Sequence, residues 1–243
     1  MALLRGALGA AVDAVLPPRC LSCGGAVDRQ GGFCPSCWAG FCWLGPPHCA
    51  VCGLPFAHDP GADALCGACL RKRPLFARAR AALRYDDASR RLLLAFKHGD
   101  RLHIAPPCAQ WLARSGAELL ADCDLIAAVP LHWTRLALRR YNQSAVLANA
   151  LAALTGVPCV PDLLIRVRRT PSQGGLNPAE RAANVKRAFR LHPRRRDGVG
   201  GRRILLIDDV YTTGATVSEC ARLLVAGGAA RVDVLTLARV TRN

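Results

Sequence analysis

Eight of the thirteen cysteines form four C-x-x-C pairs in the first third of the chain. The pairs are Cys20 and Cys23, Cys34 and Cys37, Cys49 and Cys52, and Cys66 and Cys69. Two such pairs joined by a short hairpin can surround Zn²⁺ with four thiolates in a tetrahedron. The spacing therefore predicts two structural zinc sites, without which about 70 residues of low apolar periodicity would not fold.

Redox dithiols and disulfides are the alternatives for these pairs. The first residues lack a signal-peptide cleavage site and predict a short amphipathic helix, and no stretch is apolar enough to span a membrane. We therefore expect a cytoplasmic protein without membrane insertion, where thiols bind metal more often than they form disulfides. The spacing allows sequential or interleaved pairing, and Cys42 is left out of both sites.

Asp208 and Asp209 follow the apolar run 204–207 and precede a loop rich in Thr and Gly that opens a helix. Backbone N–H groups at a helix N-terminus favour a phosphate, and the loop hydroxyls add donors. Adjacent carboxylates can hold ribose hydroxyls, or a Mg²⁺ that carries a diphosphate. The pattern predicts a site for a phosphorylated sugar; the alternative is that Asp209 and Thr213 only cap the helix.

These residues must be positioned by the elements around them, which alternate from about residue 78. Strands are predicted over 79–85, 124–130, 204–207 and 231–238, and helices over 87–98, 107–121, 142–156 and 213–227. Alternating strands and helices predict an α/β fold, a mostly parallel sheet with helices on both faces. We expect a ribbon module over 1–75 and an α/β domain over 76–243, with ligands at the carboxyl ends of the strands.

The net charge of +16 is unevenly distributed along the sequence. Residues 1–73 carry +2, whereas residues 166–203 carry +10. The basic segment predicts contacts to substrate phosphates or to a nucleic-acid strand; a solvated basic turn is the alternative. No P-loop or Rossmann glycine pattern occurs, and 5% aromatic content argues against an extensive stacking platform for bases.

The string ILLIDDVYTTGAT (204–216) resembles the 5-phosphoribosyl-1-diphosphate (PRPP) signature of type I phosphoribosyltransferases. Two further strings, AVPLHWTRLALRRYNQ (128–143) and IRVRRTPSQGGLNPAERAANVKRAF (165–189), narrow the match. With the double ribbon ahead of them, the chain is similar to the competence protein F (ComF) family along nearly its whole length. The resemblance implies a type I phosphoribosyltransferase-like sheet preceded by a double zinc ribbon.

The resemblance also implies roles for single residues. The catalytic pair is Asp208 and Asp209, and the PRPP loop comprises Val210, Tyr211, Thr212, Thr213, Gly214, Ala215 and Thr216. The pyrophosphate loop and flexible flap comprise Pro130, Arg135, Arg139, Asn142 and Gln143. Further contacts to substrate or nucleic acid fall on Lys97, Arg166, Arg168, Gln173, Arg181 and Asn184.

Two departures from the family pattern qualify these roles. Arg140 stands where the flap motif has a glycine, so the backbone there is more restricted. Thr212 stands where enzymes acting on 6-oxopurines have an aspartate, which disfavours purine salvage. Lys97 has a simpler alternative, since a lysine also stabilises the end of its own helix.

The resemblance implies a protein that binds PRPP with Mg²⁺ and handles incoming single-stranded DNA during natural transformation, with a DNA-translocation helicase as a further partner. It can be a PRPP-dependent glycosyltransferase, but the sequence identifies no nucleobase pocket. The alternative is a non-catalytic factor that uses the phosphoribosyltransferase fold to bind single-stranded nucleic acid or to dock a partner.

Overall fold

The computed structural model describes residues 17–98, 101–170 and 177–241. Its centre is a five-stranded sheet in the order β1-β7-β6-β2-β3, with every pair parallel. The strands are β1 (Ala79–Arg84), β2 (Leu125–Ala128), β3 (Cys159–Val160), β6 (Arg203–Tyr211) and β7 (Arg231–Arg239). A separate antiparallel pair consists of β4 (Leu164–Arg166) and β5 (Phe189–Leu191).

Nine α-helices occur within the described residues. They are α1 (Pro35–Ala39), α2 (Gly67–Arg71), α3 (Asp87–His98), α4 (Ala105–Ser115), α5 (Ala117–Leu120), α6 (Trp133–Arg139), α7 (Gln143–Thr155), α8 (Pro178–Val185) and α9 (Ala215–Ala226). The predicted α/β fold is confirmed, because the sheet is parallel and carries helices on both faces. None of the helices in the described part of the chain is long and apolar enough to cross a membrane.

The side chains of the central strands alternate between two hydrophobic cores. In β6, Ile204 and Leu206 face one core with α9, whereas Leu205 and Ile207 face the other with α4 and α7. Burial on both faces explains why this strand is a continuous apolar run rather than an alternating one. The run ends where the chain emerges from the sheet, and the acidic pair begins there.

Backbone hydrogen bonds join the cysteine-rich module to the outer strand β1. Leu44 donates to Ala82 O at 2.9 Å, and Arg84 donates to Cys42 O at 2.8 Å. Next to the second cysteine cluster, Ala79 donates to Val51 O at 2.6 Å. The module therefore covers the exposed edge of the sheet, which would otherwise present unpaired donors and acceptors.

The chain between β2 and α7 differs from the predicted turn. Residues 133–139 form helix α6, which His132 caps by accepting from Thr134 N. Arg140 ends the helix at φ +66°, the left-handed conformation that a glycine adopts most easily. Helices α6 and α8 and strands β3 to β5 were not predicted, because two or three strand residues and one or two helical turns carry too little periodicity. The predicted N-terminal amphipathic helix lies outside the described residues.

Candidate functional site

The carboxylates of Asp208 and Asp209 lie on β6, close to its carboxyl end. Asp208 is buried, and its Oδ1 accepts from Ser144 Oγ and from Asp209 N, both at 2.9 Å. The Oδ2 of Asp209 forms an ion pair with Lys97 Nζ at 2.6 Å. Lys97 therefore does more than end its helix: it carries a positive charge from α3 to the acidic pair.

Asp208 resists ionisation in this environment. Burial raises its pKa to about 7, and the neighbouring charge of Asp209 raises it as well. The hydrogen bonds from Asp209 N and Ser144, and the charge of Lys97, favour the ionised form, but they do not offset the effects of burial and of Asp209 on the pKa. A cation or a hydroxyl donor beside the pair would favour the carboxylate, so the pair is suited to a ligand that supplies one.

Gly214 shapes the loop that follows β6. It has φ +78° and forms the N-cap of α9, and a Cβ there would overlap the hydroxyl of Tyr211. As a glycine, this N-cap residue offers no side chain to cap the helix. The hydroxyl of Thr213 is buried and, within the described residues, has no hydrogen-bond partner. Helix N–H groups and an unpaired donor beside a close-packed glycine form a cradle suited to a phosphate.

Two arginines converge on Thr170. Arg135 Nη2 donates to Thr170 O at 3.0 Å, and Arg166 donates to its hydroxyl. Burial lowers the pKa of both guanidinium groups, and the charge of Arg135 lowers that of Arg166 further. Arg166 is also close enough to Asp208 to feel its charge. The predicted contacts Arg135 and Arg166 thus form one cationic cluster, which favours an anionic ligand.

The predicted flap residues lie at the junction of α6 and α7, from the last residue of one helix to the first residue of the other. Asn142 caps α7 by accepting from Ser144 N, and its amide donates to Val129 O at 3.0 Å. Gln143 is buried, with its Nε2 unpaired within the described residues. The cap orients Ser144 toward Asp208, so this segment supports the acidic pair. Pro130 is buried at the end of β2, and Arg139 ends α6.

The remaining predicted contacts are spread more widely. Arg168 donates to the carbonyls of Asn184 and Lys186, at 2.9 and 2.8 Å, and so holds the carboxyl end of α8. Arg181 and Asn184 lie on α8, half-buried. Gln173 lies outside the described residues. In these contacts Arg168 serves the fold rather than a ligand.

The basic residues of the segment 166–203 lie in separate parts of the structure. Arg194 and Arg196 are exposed on the turn that precedes β6, and Arg203 pairs with Asp124 at 2.7 Å. Arg203 and Tyr211 are eight residues apart on one strand, about 26 Å at 3.3 Å per residue. Part of the positive charge therefore lies at the amino ends of the strands, whereas the acidic pair lies at their carboxyl ends.

The eight paired cysteines form two clusters with sequential pairing. Cys20, Cys23, Cys34 and Cys37 make one, and Cys49, Cys52, Cys66 and Cys69 the other, with all sulfurs of a cluster within 4.8 Å of one another. The Sγ atoms of Cys23 and Cys34 are 3.7 Å apart and those of Cys52 and Cys66 3.5 Å. Tetrahedral Zn²⁺ with Zn–S of about 2.3 Å places sulfurs about 3.8 Å apart, so both clusters fit a zinc ion.

Backbone N–H groups point at the cysteine sulfurs in both clusters. Cys34 N donates to Cys20 Sγ, and Cys66 N donates to Cys49 Sγ, each at 3.3 Å. Such bonds stabilise thiolates and orient them for a metal. The first cluster is partly exposed, whereas all four cysteines of the second are buried.

Arg239 links the second cluster to residues 212–216, the predicted phosphate loop. At the end of β7 its guanidinium donates to Cys52 O, lies 3.5 Å from Cys52 Sγ and stacks 4.4 Å from the ring centroid of Tyr211. The Tyr211 hydroxyl in turn packs against Gly214. The sequence interpretation missed both Arg239 and Ser144; an arginine at the carboxyl end of a buried strand was the available signal for the first.

The sequence is similar to known proteins over most of its length. Residues 11–70 match the family described as a double zinc ribbon domain. The chain is 35% identical over 227 residues to the DNA utilization protein YhgH of Salmonella typhimurium, covering 90% of this chain and 89% of that protein. It is 30% identical to competence protein F of Haemophilus influenzae, covering 91% and 96%.

A more distant relative and a solved structure are also similar. Competence protein ComFC of Bacillus subtilis is 28% identical over 204 residues, 79% of this chain and 77% of that protein. Orotate phosphoribosyltransferase from Aeropyrum pernix is 20% identical, with a TM-score of 0.36, over 65% of this chain and 68% of that one. A superposition this loose says nothing about ligand or activity. Identity of 35% to YhgH and of 30% to competence protein F, each over about nine tenths of the chain, shows that the chain belongs to the competence protein F (ComF) family.

Proposed function

We propose that the α/β domain binds PRPP, or another ligand carrying a 5-phosphoribosyl group, together with Mg²⁺, and that the protein acts in DNA uptake. The observation that carries the proposal is a carboxylate pair followed directly by a phosphate cradle, at the carboxyl end of β6. Asp208 and Asp209 would hold the ribose hydroxyls, and the N–H groups of 212–216 with the Thr213 hydroxyl would take the 5-phosphate.

The cationic cluster supports a second phosphate group on the same ligand. Arg135 and Arg166 meet at Thr170, and Arg166 lies within electrostatic range of Asp208. Like charges held this close are stabilised by an anion between them. A diphosphate at the anomeric carbon would supply that anion, and Mg²⁺ held by the acidic pair would neutralise its remaining charge.

A role in DNA uptake is supported by the relatives rather than by the site. Relatives that match this chain over about 90% of its length carry the names DNA utilization protein and competence protein F. A ribose 5-phosphate site suits PRPP, and it also suits the sugar-phosphate unit of a nucleic acid. The same pocket therefore serves a transferase or a nucleic-acid binding factor.

Isothermal titration of the zinc-loaded protein with PRPP and Mg²⁺ tests the proposal. We expect binding by wild type and its loss in the double variant Asp208→Asn/Asp209→Asn. Asp124→Asn is the matched control, because Asp124 lies at the amino end of β2, away from the acidic pair, and forms an ion pair with Arg203. Absence of binding by wild type, or equal loss in the control, would refute the proposal.

Turnover requires a separate measurement. Pyrophosphate release from PRPP, screened over nucleobases and amines with and without single-stranded DNA, distinguishes a transferase from a binding protein. Thr212 offers a hydroxyl rather than a carboxylate to an acceptor base, so we expect no release with hypoxanthine or guanine.

A further inference from the structure

A basic cavity lies behind the phosphate loop, between the second ribbon and the α/β domain. This junction cavity has a volume of about 880 Å³ and is lined by the chain after α2, the end of α8 and the first turns of α9. Thr212 and Thr213 form part of its wall, whereas Asp208, Asp209 and Arg135 do not. It therefore shares the loop at 212–215 with the proposed ribose-phosphate site and extends from that loop away from the acidic pair.

The charge of the junction cavity is strongly unbalanced. Six cationic residues line it, from separate segments of the chain: Lys72, Arg73, Lys186, Arg187, Arg222 and Arg239. The acidic residue in the wall, Glu219, pairs with Arg222 at 2.9 Å and accepts from Arg187 N at 3.0 Å. In the described part of the chain, Lys72, Arg73, Lys186 and Arg187 form no ion pair with a carboxylate. Such a concave cluster of unpaired cations favours a polyanion.

Apolar side chains lie between these cations. Leu54, Leu75 and Val185 line the same cavity, and Leu75 is exposed. A single nucleic-acid strand alternates charged phosphates with sugars and bases, so it matches this alternation better than a compact inorganic anion does. The volume lies within the range of about 300–1,000 Å³ typical of small-ligand pockets, which admits a few nucleotides but not a duplex.

We infer that the junction cavity binds the phosphodiester backbone of a single nucleic-acid strand. The inference rests on the proposed function in one respect: one phosphate of the strand occupies the loop at 212–216. The next phosphates then meet the cations that follow α2 and α8. The strand path therefore runs between the second ribbon and α8, and it avoids the arginines before β6.

Fluorescence anisotropy with a labelled single-stranded dT oligonucleotide, measured with the full zinc-loaded chain over a salt series, tests this path. The variants are Lys72→Gln/Arg73→Gln and Lys186→Gln/Arg187→Gln, which remove side-chain charge and leave every backbone bond. We expect each double variant to bind more weakly than wild type. The slope of log K against log salt should decrease in magnitude by about 1.4, because each of the two lost phosphate contacts with a single strand accounts for about 0.7.

Arg194→Gln/Arg196→Gln is the matched control, because it removes the same charge from an exposed turn before β6. We expect this variant to keep the wild-type affinity and slope. Equal effects in control and cavity variants, unchanged slopes in the cavity variants, or no oligonucleotide binding by wild type would overturn the inference. Inorganic pyrophosphate that competes as well as the oligonucleotide, at equal phosphate concentration, would assign the cavity to a small anion and would also overturn it.

Titration with PRPP and Mg²⁺ separates this inference from the proposed function. The cavity variants should bind PRPP as wild type does, because none of the four residues contacts the acidic pair. If the cavity variants keep the wild-type salt slope while wild type binds PRPP, only the cavity inference is refuted. Absence of PRPP binding in wild type, with the slope change present, refutes only the PRPP site.

Discussion

Asp208 is a buried carboxyl whose ionisation is opposed by burial and by Asp209. Its pKa of about 7 in the folded chain exceeds the value of about 3.9 expected in an unfolded chain. The folded state therefore binds more protons between these values, and its stability falls as the pH rises from about 4 to about 7. Above pH 7 the full penalty of a buried charge is present.

We expect Asp208→Asn to raise the melting temperature at pH 8 in the absence of Mg²⁺, and to raise it less at pH 5. An asparagine oxygen can still accept from Ser144 and from Asp209 N, and it carries no charge. Each kcal/mol recovered should raise the melting temperature by about 2–4 °C in a chain of this size. Differential scanning fluorimetry at the two pH values measures the difference.

Asp233→Asn is the control for this prediction. Asp233 is also buried, but it pairs with Arg78 at 2.9 Å and with Arg231 at 3.1 Å. Removing its charge leaves Arg78 and Arg231 with only the more exposed carboxylate of Asp122 as an ion-pair partner, so this variant should lose stability at both pH values. A melting temperature of Asp208→Asn below that of wild type at pH 8 would contradict the assigned cause.

Gly214 is required by its conformation and by Tyr211 together. Gly201 has a similar φ, +69°, but a Cβ there meets no atom within 4 Å. Both Gly→Ala variants should lose about 1–2 kcal/mol through the left-handed backbone. Gly214→Ala should lose more, since its Cβ also overlaps Tyr211, and urea unfolding measures the difference. Equal losses would mean that the loop moves away from Tyr211 at little cost.

At the scale of elements, the second ribbon and the phosphate loop are connected through the end of β7. Arg239 contacts Cys52 and stacks on Tyr211, which packs under the loop. The first cysteine cluster is partly exposed, and Leu21 and Phe41 of its ribbon pack in the other core. Loss of the two metal sites should therefore have unequal effects on the loop.

We expect Cys66→Ser/Cys69→Ser to bind one zinc fewer and to increase amide hydrogen exchange at 212–216, because the loop loses its support. Cys34→Ser/Cys37→Ser should also bind one zinc fewer but leave exchange at the loop unchanged. Zinc analysis and exchange mass spectrometry give the two readouts. Arg239→Lys, which keeps both zinc sites, should loosen the loop as well; an unchanged loop in this variant would rule out the connection.

At the scale of the whole molecule, the ribbons and the sheet are parts of one packed structure. The second cysteine cluster shares a hydrophobic core with β6 and α9, and the first ribbon packs with α4. The positive charge is also divided at this scale. The cations of the junction cavity lie near the carboxyl end of β6, and Arg194 and Arg196 lie on the turn before its amino end. The net charge of +16 therefore marks at least two separate surfaces, of which only one adjoins the phosphate loop.

The predictions that the structure confirms rest on local patterns in the sequence. The spacing of the cysteine pairs predicts both clusters, and the apolar runs predict the sheet and most helices, because these features depend on residues close together in the chain. The carboxylates and the loop at 208–216 are likewise contiguous, so their common position follows from one strand–loop–helix unit. Residues 130–143 were harder to predict, since α6 is only seven residues long and its C-cap, Arg140, adopts the left-handed conformation typical of glycine.

The sequence by itself determined two four-cysteine clusters, a parallel α/β sheet and a carboxylate pair followed by a Thr/Gly loop at the end of β6. Only the tertiary structure decided that Lys97 meets Asp209, that Arg135 and Arg166 share Thr170, and that Arg239 reaches Cys52. It also gathered Trp38, Trp43 and Trp111 into one aromatic cluster with centroids 5.1 to 6.0 Å apart. These contacts join residues far apart in the chain, and they depend on strand order and on how the ribbons dock. Neither the period of a helix nor that of a strand encodes that information.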